Sequence, residues 1–94
     1  MTFSMTFAYA EAYANARSCL GALADISDFD DSCRYEHLLL DLDGIHGGSF
    51  PATYPMPGTR QELLAHLEDE VDRMIELGSD GLNLELLLAS ALGW

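Results

Sequence analysis

The sequence predicts an all-α protein, a small bundle of three to four helices around an apolar C-terminal helix. Three observations predict it. Apolar residues recur at helical spacing through two long stretches. The pair Thr59 and Glu62 forms a capping-box signature ahead of the clearer of the two. The last stretch, residues 82–92, is apolar on almost every side, as a helix enclosed by others would be.

The first helix is expected over residues 8–24. Its segment AYAEAYANA places alanine at every second position, the period of a strand. Alanine is nevertheless the strongest helix former and a poor strand former. Tyr9, Tyr13, Ala16, Leu20 and Leu23, at alternating intervals of four and three, settle the matter as one helical face. The alanines then serve to let a neighbouring helix approach closely. Residues 2–7 alternate apolar and polar and suit an extended lead-in or a short edge strand.

A second helix is expected within residues 25–44. Ser27 is the candidate cap, Asp28, Asp30 and Asp31 sit near the positive end of the helix dipole, and Gly44 is the candidate stop. Tyr35, Leu38, Leu39 and Leu42 make its apolar stripe. The piece HLLLDLD also fits a short strand, and pattern alone favours helix without excluding the alternative. Residues 44–58 hold four glycines and three prolines, so they form a long loop. Ile45, Phe50, Tyr54 and Met56 suggest that it packs across the body, and contact with a partner is its functional alternative.

The third helix begins at the Thr59 capping box and ends at Gly78. Leu63, Leu64, Leu67, Val71, Met74 and Ile75 trace its buried stripe. Glu62, Glu68, Asp69, Asp72 and Glu76 share the opposite face, with Arg73 at its edge, four residues after Asp69 and placed for a weak pair. The fourth helix, 82–92, is either the bundle's centre or the contact surface of a homodimer, and Trp94 is placed to anchor either arrangement. With 94 residues the whole chain, 1–94, suits a single helical domain.

Charge is the strongest compositional feature. Sixteen Asp and Glu face four arginines and no lysine, a formal net charge of −12. Such a field repels nucleic acid and anionic membranes and favours a basic partner. Residues 25–43 and 60–76 hold most of the excess. If those two helices pair antiparallel, their outer faces merge into one anionic surface. The candidate contact residues are Asp28, Asp30, Asp31, Glu36, Glu68, Asp69, Asp72 and Glu76. The function this favours is non-enzymatic: an acidic protein that blocks a basic surface on a partner, one that normally receives phosphates. In size and charge alone the chain is similar to small inhibitors of nucleic-acid enzymes, such as toxin immunity proteins and phage anti-restriction or anti-CRISPR factors. No family motif carries that analogy.

Two alternatives stand beside it. One is a self-associating structural subunit whose acidity only maintains solubility. The other is a metal-binding bundle built on Glu62, His66 and Glu70, spaced four apart on one helical face. Asp41, Asp43 and His46 within DLDGIHGG also invite a metal, but that loop lacks the closing glutamate of a calcium site and reads better as a helix end. No catalytic, phosphate-binding or cofactor motif occurs, so neither an enzyme nor a cofactor is expected. Two cysteines, Cys19 and Cys33, are too few for a disulfide framework and suit a reducing compartment. The segment MTFSMTF has no basic flank or cleavage pattern, so the expected location is the cytoplasm.

Overall fold

A computed structural model of the chain describes residues 6–47, 51–78 and 81–93. Most of them belong to four helices: α1 (Phe7–Ile26), α2 (Phe29–Ile45), α3 (Arg60–Glu76) and α4 (Gly81–Leu92). The protein is a small all-α bundle, and residues 36–43 are helical. Of the expected extended lead-in, residues 2–5 lie outside the described residues. Phe7 already belongs to the first turn of α1, and only the cap Thr6 is extended. The anchor expected at Trp94 also lies outside them.

The helix ends follow local chemistry. Thr6 caps α1 by accepting the Tyr9 amide, and Asp28 caps α2 by accepting the amide of Asp31. Ser27 has a different role from the one expected. Its hydroxyl donates to the Leu23 carbonyl and so closes α1, leaving Asp28 to open α2. Gly44 lies within α2 rather than ending it. The helix stops at His46, and Gly47 follows with a positive φ of 71°. The capping box of α3 is present in both directions, Glu62 amide to Thr59 Oγ1 at 3.2 Å and Thr59 amide to Glu62 at 3.1 Å. Gly78, at φ 99°, takes the left-handed turn that ends α3, and its amide donates to the Ile75 carbonyl.

Cross-helix pairs fix the directions. Asn15 meets Glu70 and Glu11 meets Arg73, so α1 and α3 are antiparallel. Tyr9 meets His46 and Arg17 meets Asp43, so α1 and α2 are antiparallel as well. Arg34 near the start of α2 reaches the carbonyls of Ser90 and Ala91 near the end of α4. Going round the bundle the order is therefore α1, α2, α4, α3, and every neighbouring pair is antiparallel. α2 and α3 run parallel on opposite corners, joined by a long crossover between Ile45 and Arg60 where the loop was expected at residues 44–58.

The central position belongs to α1 rather than to α4. α1 packs against α2, α3 and the crossover, and Ala12, Ala16 and Cys19 are small enough to admit all three. α4 packs only against α2 and α3 among the described residues. It buries Leu84, Leu87, Leu88 and Ala91 but leaves Leu82 70% and Leu86 58% exposed. Its leucine content reflects two faces, only one of which the described residues cover. No helix is long and apolar enough to cross a membrane among the described residues.

The two cysteines are both free, Cys19 buried and Cys33 exposed. Burial first, and then the nearby Glu70 carboxylate, pushes the Cys19 thiol from 9.0 up to about 12. The folded state therefore favours the protonated thiol. That contribution to stability is complete below pH 9.0 and is lost as pH rises through about 12. One thiol per chain should react with a disulfide reagent in the folded protein and two after denaturation. The fall in stability measured by denaturant melts across that alkaline window should shrink in Cys19→Ala.

Candidate functional site

The outer surface is understood by first following the arginines inward. Arg17 follows Tyr9 and Tyr13 at four-residue intervals, which aims it from α1 toward α2. It is 7% exposed, as is Asp43 opposite. Arg17 Nε donates to Asp43 Oδ1 at 2.8 Å and Nη2 to Oδ2 at 3.1 Å, a forked pair. Its Nη1 donates to the carbonyl of Pro51 in the crossover. Tyr13 also donates to Asp43 Oδ1, at 2.7 Å. Burial, followed by that bond to a carboxylate, moves the Tyr13 phenol well above its ordinary value. The ring of His46 stacks on Tyr13 at 3.9 Å between centroids. Its Nδ1 lies 2.8 Å from the Leu42 carbonyl, which only accepts, so Nδ1 bears a hydrogen, and its Nε2 lies 2.6 Å from the Tyr9 hydroxyl.

The other three arginines are also engaged. Arg73 lies 3.5 Å from Glu70 and 3.9 Å from Glu11, so it turns toward α1 and not toward Asp69, the partner expected from spacing. Arg60 donates to Asp31 at 3.1 Å, and Arg34 lies 3.6 Å from the same carboxylate. The hydrogen bond from Arg60 is the main reason that the Asp31 carboxyl titrates below its ordinary value. Arg34 and Arg60 both lie against the ring of Tyr35, at 4.6 and 5.6 Å from its centroid.

This distribution divides the predicted contact residues. Asp31 is half-buried and already neutralised. Asp28 is exposed but committed to capping α2. Asp30 and Glu36 are exposed on α2. Glu68, Asp69, Asp72 and Glu76 are all exposed on α3, and none forms an ion pair with a described residue. The two acidic segments do not merge as expected, because α2 and α3 occupy opposite corners and run parallel. The site that remains is the outer face of α3.

The proposed metal trio is put to other uses. Glu62 closes the capping box, while His66 Nε2 lies 3.6 Å from Glu70, which also accepts from Asn15. No group of three His, Cys, Asp or Glu among the described residues is placed to hold a metal ion. Asp41 and Asp43 diverge. Asp41 sits on the surface 3.8 Å from His37, and Asp43 enters the Arg17 network.

Comparison with protein-family models, curated proteins and solved structures finds no match to this chain.

The Arg17 network was missed in the sequence, although two signals were present. A basic residue on the apolar stripe of one helix needs a buried acid opposite, and Asp43 with His46, three residues apart, supplies one face of an adjacent helix. Removing one partner strands a buried charge. Arg17→Ala or Asp43→Ala should each cost about 3–5 kcal/mol in urea unfolding. Replacing both by Met and Leu should recover most of that loss.

Proposed function

We propose that the protein acts by binding, with the outer face of α3 docking against a basic surface of another protein and blocking it. One observation carries this proposal. All four arginines pair with other carboxylates, those of Asp43, Asp31, Glu70 and Glu11, so Glu68, Asp69, Asp72 and Glu76 stand exposed with no counter-cation among the described residues. Glu68, Asp72 and Glu76 follow at four-residue intervals on a rigid helix, about 6 Å apart along its axis at the rise of an α-helix. Phosphates along one DNA strand advance about 3.4 Å per nucleotide, so the row matches roughly every second phosphate. A cationic groove that normally receives such a backbone is the complementary surface, and a nucleic-acid-handling protein is the proposed class of partner. Long-range attraction would speed the encounter and make it sensitive to salt.

The test is capture from native lysate, with captured proteins identified and their binding then measured with purified components. The variant Glu68→Gln, Asp69→Asn, Asp72→Asn, Glu76→Gln should lose at least about tenfold in affinity, and wild type should weaken similarly from about 50 to 500 mM salt. The control Asp25→Asn, Glu85→Gln, changed away from α3, should bind as wild type. Capture indifferent both to salt and to the α3 variant contradicts the proposal.

A further inference from the structure

A separate observation concerns Gly21, inside α1 and away from its ends. Glycine in a helix interior is less stable than alanine, and it suits places where something must come close to the backbone. Gly21 lies in regular helix without a positive φ. A Cβ built on it would meet no atom within 4 Å, so packing against the described residues does not call for glycine either. The space above it belongs to an open groove of about 690 Å³ between α1 and the crossover, a volume within the range of small-molecule sites. Ser18, Gly21 and Ala22 form the floor, and residues 53–57 form the facing wall. Pro55 and Pro57 restrict that wall, and the Tyr54 amide ties it to Ser18 Oγ at 3.1 Å. The lining is mainly apolar, with Met56 on the wall and Ile26 at one end.

We propose that this groove binds a small organic cation, an ammonium group carried on a compact aromatic or aliphatic body. Charge complementarity selects the occupant. Asp25 is the one charged residue among the described residues that line the groove. It is exposed, and the four arginines are engaged with other carboxylates. Tyr54 supplies an aromatic wall, a surface that attracts cations. Burial raises the Tyr54 phenol above its ordinary value, and the neighbouring Cys19, Glu70 and Glu11 add to that rise, so carboxylates lie close to this side of the groove as well. A net charge of −12 repels an anionic ligand. A hydrated metal ion would gain only Asp25, and a neutral apolar molecule only the walls. A cation with an apolar body uses both, and the missing side chain at Gly21 leaves the floor low enough to admit it.

Three probes of one shape test this: naphthylmethylammonium, the neutral naphthylmethanol and the anionic naphthoate. Each is titrated into the isotope-labelled full chain and followed through its amide spectrum. The cation should shift the amides of residues 18–26 and of Thr53, Tyr54 and Met56 saturably, with a dissociation constant of about 1 mM or below. The alcohol should bind more weakly, and the carboxylate at least about tenfold more weakly than the cation. Asp25→Asn should bring the cation down to the affinity of the alcohol, whereas Glu85→Gln, the same change of charge on α4, should leave it unaltered. Gly21→Ala should raise the melting temperature by about 2–8 °C and weaken the cation. Gly21→Leu, which fills the floor, should abolish binding of cation and alcohol alike in a chain that still melts cooperatively. Absence of saturable binding, shifts spread over the acidic residues of α2 and α3, a carboxylate that binds as tightly as the cation, or an Asp25 or Gly21 variant that binds as wild type overturns the proposal. None of these outcomes bears on the α3 face, which lies outside the groove.

Discussion

The buried pair of Arg17 and Asp43 is the constraint on which the rest of the arrangement depends. It joins α1 to α2, and through the Pro51 carbonyl it also holds the crossover. The crossover must travel the length of α1 before α3 begins, and Ser18 accepts the Tyr54 amide further along that path. Fixing the crossover in this way fixes the corner and the direction of α3. The acidic face of α3 points outward because Leu63, Leu67, Val71 and Met74 on its other side are buried. A buried ion pair of this kind contributes little net stability over an apolar substitute, and its main effect is to exclude other arrangements.

The same logic accounts for the surface. Four cations are available, and the fold spends each of them on a carboxylate that helix packing brings inward or between elements. Glu70 is buried against α1, Asp31 sits between two arginines, and Asp43 is enclosed. What is left outside is almost wholly anionic on α3 and almost uncharged on α4. One chain thereby carries an acidic surface on α3 and a nearly uncharged one on α4, on adjacent corners of the bundle.

Much of this was legible in the sequence, and the parts that were not have physical reasons. Helix periodicity located all four helices, and the Thr59 capping box was read correctly because its chemistry is local. The outward carboxylates of α3 followed from the same helical wheel. Which helix lies at the centre was not legible. Residues 82–92 look more buried than α1 by composition, but small residues on α1 permit closer neighbours than leucines on α4 do. The pairing of α2 with α3 was likewise beyond reach, because the long crossover allows either neighbour and the choice is made by Arg17, Asp43 and Pro51 acting together. The stronger partner of Asp31 was beyond reach, since Arg60 lies 29 residues away, although Arg34, three residues on, was a local sign of pairing.

The central claim is that carboxylates are displayed on α3 and withheld from α4. Paramagnetic broadening of the amide spectrum by an inert trivalent cation, divided residue by residue by that from a neutral probe of similar size, maps the surface potential without any partner. The account predicts that this ratio is highest along residues 68–76, lower over residues 30–36, and lowest over residues 82–89. A ratio that is uniform around the bundle, or that peaks on α4, would contradict it.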